Sequence, residues 1–282
     1  MNDLFDENGI WKVDDYFLLD AQRLNKAISY LKNNHPNCCK IGISANDYSK
    51  EYFVDFQIIK NNFPEIKSFW MHCLLSEETD ISPLYDLEHL EFVQWWAKKP
   101  LIIANFLKLE CLHCIYPEKI HFESKKLKKL YITGAKSLLF LNKLPNLISL
   151  EIRNYKNENL SGIEKLIHLE DLTIRFAKKL LTLDEIKQCK SLKILTLENV
   201  NHNIDLSILS YLNIEELYLH FSIKNCDFIK TMKYLTTFLC KEIVNNDLSP
   251  MFASKTLLNA YLYKHKKSYN YTKEEFNRRF LW

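Results

Sequence analysis

One short phrase recurs along this chain and limits what it can fold into. An apolar residue is followed three places on by a second, and two places further by a third. The copies are Ile66-Phe69-Met71, Leu87-Leu90-Phe92, Leu109-Leu112-Cys114, Leu127-Leu130-Ile132, Leu147-Leu150-Ile152, Leu169-Leu172-Ile174, Leu192-Leu195-Leu197 and Ile214-Leu217-Leu219. Weaker copies stand at Leu235-Phe238-Cys240 and Leu257-Ala260-Leu262, and the middle residues lie 18 to 23 places apart throughout. Residues two apart share one face of a strand, so the last two positions of each copy point the same way. One copy cannot bury that face alone. Neighbouring copies must stack, their strands must join in a parallel sheet, and the residues between must return along the far side of the core.

The pattern resembles the leucine-rich repeat family, whose L-x-x-L-x-L phrase has a period of about 20 to 29 residues. The resemblance covers residues 39–263. It implies an α/β fold: a leucine-rich-repeat solenoid with a curved parallel β-sheet on the concave side and short helices or 3₁₀ turns on the convex side. One departure is plain. The family places Asn or Cys eight residues after the first leucine, where it bonds backbone between turns. Here those places hold Tyr155, Ala177, Val200 and Ser222. The asparagine ladder is missing, and the turns must be held by other means.

Helix-start signals stand on the return segments at Ser82-Pro83, Ser161-x-x-Glu164 and Thr182-x-x-Glu185. The short interval from Leu112 to Leu130 leaves room for a turn only. Residues 1–38 read as an N-terminal cap of hairpin and helix. Asn8-Gly9 is the hairpin dipeptide, and Asp20 caps a helix to Asn33 with Leu24, Ala27, Ile28 and Leu31 on one face. Lys40–Ile43 reads as a first strand, with Phe53, Phe56, Ile59 and Phe63 on its return. Residues 264–282 read as a C-terminal capping helix, opened by Thr272-x-x-Glu275 and carrying the pair Phe276 and Phe280.

Composition removes several function classes. The four glycines, Gly9, Gly42, Gly134 and Gly162, are too scattered for a phosphate-binding loop. A net charge of +3 from 38 basic and 35 acidic residues is weak for a nucleic-acid binder. The acidic start, Met-Asn-Asp-Leu-Phe-Asp-Glu, lacks the basic region of a signal peptide. The apolar stretch Leu101 to Tyr116 is broken by Asn105, Lys108 and Glu110, so no membrane span is expected. Eight cysteines without a secretory signal read as reduced thiols, which points to a cytoplasmic protein.

No metal site or cofactor is expected. Cys111 and Cys114 form a C-x-x-C, but on a strand residues three apart face opposite sides; Cys38 and Cys39 are likewise set apart. The nine histidines include no H-E-x-x-H, and no triad motif is present, so no enzyme is expected. The basic clusters Lys125, Lys126, Lys128, Lys129 and Lys264, Lys266, Lys267, Arg278, Arg279 read as solvated faces, or as sites for an acidic partner.

The candidate surface is the outward face of the strands. Directly after the marker stand Trp70, Glu91, His113, Tyr131, Glu151, Tyr218 and Tyr261; two places further stand His72, Arg153, Arg175, Glu198, His220 and Tyr263. Trp95 and Trp96, just past a strand, extend that rim. Aromatics mixed with Arg, His and Glu fit a protein-binding composition. The expectation is a non-enzymatic protein-binding module for a folded partner, in its sharpest form a cytosolic inhibitor such as a bacterial toxin-neutralising immunity protein. The alternatives are a scaffold or adaptor, and an enzyme or nucleic-acid binder whose site carries no motif.

Overall fold

The computed structural model describes residues 4–280, in two compact units, Met1–Ile132 and Thr133–Trp282. In the first, β1 (Ile10–Val13) and β2 (Tyr16–Asp20) form an antiparallel hairpin. It turns at Asp14-Asp15, with Asp14 at a left-handed φ of 51°, and not at Asn8-Gly9. The reason is Asp6, whose carboxylate accepts the N–H groups of Asn8 and Ile10 at 2.9 and 2.8 Å and folds that stretch into a local turn. Helix α1 (Leu24–Asn34) buries Leu24, Ala27, Ile28 and Leu31, as their spacing predicts. It starts later than expected, because the Asp20 carboxylate is engaged with the Gln22 N–H and the Arg23 guanidinium.

Strand β3 (Lys40–Ser44) comes next, then helix α2 (Phe56–Asn62), capped by Asp55 and burying Phe56 and Ile59. Phe63 is also buried, but Phe53, expected on the same face, is exposed. Strands β4 (Ser68–Met71), β5 (Phe92–Trp95), β6 (Cys111–Cys114) and β7 (Lys129–Thr133) follow. From β2 to β7 each strand pairs in parallel with the next in chain order.

One register differs from the expected one. β5 aligns Phe69 with Val93 and Met71 with Trp95, not with Leu90 and Phe92. Two overlapping phrases fit the sequence here, Leu87-Leu90-Phe92 and Leu90-Val93-Trp95, and the chain uses the second. Val93 and Trp95 are buried in the core rows; Leu90 is buried too, but ahead of the strand. Trp95 therefore belongs to the core and not to the rim. Its indole N–H donates to the Lys99 carbonyl at 3.0 Å, which satisfies its polar edge inside.

The second unit carries β8 (Ser149–Arg153), β9 (Asp171–Arg175), β10 (Ile194–Glu198), β11 (Glu216–Leu219), β12 (Thr237–Cys240) and β13 (Asn259–Leu262), again parallel and in chain order. Leu150, Leu172, Leu195, Leu217, Phe238 and Ala260 lie side by side as one inward row, and all are buried. Each large side chain in such a row contributes about 1.5–3 kcal/mol by leaving water. Helices α3 (Ser249–Ala253) and α4 (Lys273–Arg279) close this unit's sequence, and α4 carries the predicted capping box of Thr272 and Glu275.

The return segments of the second unit are mostly 3₁₀ turns, and the sequence says why. Leu138, Leu141, Leu144 and Leu147 recur every third residue, as do Leu160, Ile163, Leu166 and Leu169, and all are buried. Side chains three apart eclipse on a 3₁₀ helix, so a period of three puts every one of them inward, which 3.6 does not. The turns at Leu139–Lys143 and Ile163–Lys165 are the result. The capping boxes read at Ser161 and Thr182 do not form: Glu164 instead accepts the Gly162 N–H at 2.7 Å, and Thr182 accepts from Asp184 at 3.1 Å. Gly162, at φ 113°, passes so close to the neighbouring turn that an added Cβ would lie 2.4 Å from the Leu138 carbonyl oxygen. The short interval after β6 holds a three-residue 3₁₀ turn, Pro117–Lys119.

Backbone takes over the work of the absent asparagines. Ahead of β8, β9 and β10, one carbonyl accepts two successive N–H groups of the next repeat. Ile148 serves Glu170 and Asp171, Glu170 serves Lys193 and Ile194, and Lys193 serves Glu215 and Glu216, at 2.8–3.1 Å. After each strand from β7 to β10, Gly134, Asn154, Phe176 and Asn199 turn the chain with φ between 52° and 73°. The first three donate N–H to Arg153, Arg175 and Glu198 carbonyls at 2.8–3.0 Å. The ladder positions themselves, Tyr155, Ala177 and Val200, are buried and pack as apolar corners.

Candidate binding surface

The strand register fixes which side chains leave the core, and the two units use their outward faces differently. In the first unit the face is covered by its own aromatics. The Trp70 ring stacks on Tyr16 at 3.9 Å, His72 lies 5.1 Å from Trp70, and Trp96 stacks on His72 at 4.2 Å with 12° between planes. Gly42 makes this possible: a Cβ there would lie 2.6 Å from Leu18 and 2.7 Å from Trp70. Tyr16 and Ser68 share a short hydroxyl hydrogen bond beneath the stack. His72 is buried between the two indoles, and burial pushes its pKa down to about 4, against a smaller opposing effect from Gln94. It is therefore neutral at pH 7, and its Nε2, like the Trp70 indole N–H, is shielded without a hydrogen-bond partner.

Further along this unit, His113 sits between Phe92, edge-on at 4.8 Å, and Tyr131 at 3.9 Å. Glu91 is not on the face. The shifted register leaves it exposed ahead of β5, where its carbonyl accepts the Glu110 and Cys111 N–H groups; Gln94 holds its expected place. His72 is thus a packing residue, while Trp70, Tyr131 and His113 remain half-buried.

In the second unit the face is polar and paired. Glu151 is buried and sits beneath two arginines, with Arg153 Nε at 2.5 Å and Arg175 Nε at 3.2 Å from one oxygen. Arg175 also reaches Glu198 across the next strand at 2.6 Å. The four alternate in sign from β8 to β10, and Arg153 is the exposed member. On β11, the Tyr218 hydroxyl donates to Glu216 at 2.6 Å, and burial together with that carboxylate pushes its pKa up to about 12. His220 Nδ1 meets the Tyr263 hydroxyl at 3.0 Å, and Tyr263 stands edge-on to Tyr261 at 5.3 Å. The strands hold these groups side by side, with Arg153 and Tyr263 exposed and Arg175, Glu198, Tyr218 and Tyr261 half-buried.

The cysteines take the predicted positions. Cys114 is buried and Cys111 faces out, so the two do not converge on one ion. Burial pushes the thiols of Cys73, Cys111 and Cys226 up to about 12, and all eight cysteines are free. No helix among the described residues is long and apolar enough to cross a membrane.

No protein-family profile matches the sequence, and no curated protein does. Solved structures do match. An internalin, InlF, of Listeria monocytogenes superposes with a TM-score of 0.52 at 17% identity, over 89% of this chain and 87% of that one. A leucine-rich-repeat protein of Leptospira interrogans has a TM-score of 0.43 at 16% identity, over 88% of this chain and 77% of that one. The recurring phrase, the parallel strands in chain order, the 3₁₀ return turns and the likeness to InlF together identify the fold as a leucine-rich-repeat solenoid.

Proposed function

We propose that this chain is a protein-binding module whose contact surface is the outward sheet face of the second unit. The observation that carries this reading is the set of Arg153, Arg175, Glu198, Tyr218, His220, Tyr261 and Tyr263, held on or just past strands β8 to β11 and β13 of one parallel ladder. Arg and Tyr on a preorganised frame are the residue types that dominate protein interfaces, since little conformational entropy is lost when they are covered. A ladder of strands offers area and not an enclosed cavity, which suits a folded protein better than a small molecule. In the first unit, Tyr131 and His113 are the matching candidates. The mode of action we assign is steric inhibition in the cytoplasm, with a toxin-neutralising immunity protein as its concrete form: the face covers a target's functional surface and mixed charge guides association.

Titration tests this. An inhibitor abolishes its target's activity at about one-to-one stoichiometry when binding is tight. Full activity of the saturated complex removes the inhibitory reading and leaves a scaffold. Binding that survives Tyr218→Ala and Arg153→Ala together removes the surface itself.

A further inference from the structure

We propose that the free edge of β13 is a second binding site, one that takes an extended acidic segment of a partner by strand addition. Among the described residues β13 is paired on one side only, with β12. Its alternation shows what the other side offers. Asn259 and Tyr263 donate their N–H groups toward β12, to the Thr236 and Cys240 carbonyls at 2.9 and 3.2 Å. In a parallel strand the intervening residues face the opposite way, so Ala260 and Leu262 turn both N–H and C=O to the free edge. The carbonyls of Glu170, Lys193, Glu215 and Thr236, in the corresponding place ahead of earlier strands, each accept two N–H groups from the following repeat; among the described residues, that of Leu258 has no following strand to serve.

The edge is not covered by α4. A groove of about 470 Å³ runs between them, lined by Ala260, Tyr261 and Leu262 of the strand and Tyr263 just past it, with Lys273 and Phe276 of the helix and Phe280 at its end. Successive residues of a strand point to opposite faces, so the groove follows the backbone edge itself. Arg279 has already satisfied the carbonyls of Leu257 and Ser254 at 3.3 and 3.1 Å, which pins the helix and leaves the strand edge beyond it open. Phe276 and Phe280, 4.9 Å apart, give the groove an apolar floor for alternate side chains of an incoming strand.

Charge selects the occupant. Residues 264–280 hold six Lys or Arg and two Glu. Glu275 is engaged by the capping box and Glu242 by Lys264 and Lys266, so Glu274, exposed beside Lys273, is the one carboxylate of this segment set against the basic side chains. Among the described residues Lys267, Lys273 and Arg278 form no ion pair. A second copy of this edge would bring like charges together, whereas an extended segment alternating apolar and acidic residues matches both floor and rim.

The probe is a nine-residue fluorescent peptide alternating valine and glutamate, with a valine–lysine peptide and an N-methylated acidic peptide as controls, measured by anisotropy with the full chain. The acidic peptide is expected to bind at least tenfold more tightly than the lysine peptide, and more weakly as salt rises. The N-methylated peptide, which cannot complete the ladder, is expected to lose at least tenfold. Lys273→Glu is expected to lose at least tenfold, and Tyr211→Ala on the return side, where the residue is exposed, to leave peptide affinity unchanged. Ala260→Pro removes an outward N–H without touching the β12 ladder and is expected to abolish binding while the thermal transition persists; if that variant unfolds, the N-methylated peptide decides. No acidic-peptide binding at 1 mM, equal binding of both charges, undiminished binding of the N-methylated peptide, or a dimer through this edge by sedimentation would each overturn the proposal.

Discussion

Replacing His72 by phenylalanine isolates one buried titration and gives it a sign. In the folded chain His72 lies between Trp70 and Trp96 with its pKa pushed down to about 4, while an unfolded histidine titrates near 6.5. Above pH 6.5 both states are neutral and the group contributes no pH dependence. Below that value the unfolded chain takes up a proton that the folded chain refuses, so stability falls with falling pH down to about 4. The gap of about 2.5 pH units corresponds to about 3 kcal/mol, most of it lost between pH 6 and 4. Phenylalanine keeps a flat ring between the two indoles and removes the proton site. Urea unfolding at pH 7 and at pH 4.5 measures the effect. The parent chain should lose about 2–3 kcal/mol more than His72→Phe over that range. Equal losses in both proteins would refute the reasoning, as would a nuclear magnetic resonance titration placing the His72 pKa near 6.5.

Gly42→Ala should cost about 1–3 kcal/mol and shift Trp70 fluorescence, because the added Cβ meets Leu18 and the Trp70 backbone; an unchanged melting temperature contradicts the close approach. Phe176→Asn should raise stability by about 0.5–1 kcal/mol, since the phenylalanine is 43% exposed at a left-handed φ of 57° that asparagine tolerates better. A loss above about 1 kcal/mol by calorimetry would show that the ring packs more than its exposure implies. Arg175→Ala should cost about 1 kcal/mol, with Arg153 still holding Glu151 and solvent screening the rest; adding Glu151→Gln should recover part of it, as a denaturation double-mutant cycle reports. An additive cycle contradicts the coupling.

The inward rows were legible because L-x-x-L-x-L is a local pattern with one structural solution. Where it is ambiguous, as from Leu87 to Trp95, spacing alone cannot choose. The two phrases differ by three residues, and the pairing with β4 takes the later one. That shift moved Glu91 off the face and Trp96 onto it. A usable signal was present in the return segments: apolar residues every third place, running from Leu138 to Leu150, specify 3₁₀ turns and not α-helices. The sequence displays which aromatic and charged residues alternate with the inward rows, but not how they pack against one another. Trp70 and His72 are covered by Tyr16, which arrives from the hairpin, and by Trp96, which arrives through the shifted register. Ion pairs such as Glu151 with Arg175 are likewise a property of neighbouring strands, which local spacing does not display.

The central claim is that the outward face of the second unit binds a protein. Its most direct test compares three forms of the full chain, tagged and recovered from their native cells with any bound partner. They are the parent, the face variant Arg153→Ala with Tyr218→Ala, and the return-side variant Tyr211→Ala, whose ring is 74% exposed. Each must keep its thermal transition, and the affinity of each for the purified partner is then measured by calorimetry. The face variant should bind at least tenfold more weakly than the parent, while the return-side variant binds as the parent does. A face variant of undiminished affinity, or a loss confined to Tyr211→Ala, would contradict the assignment.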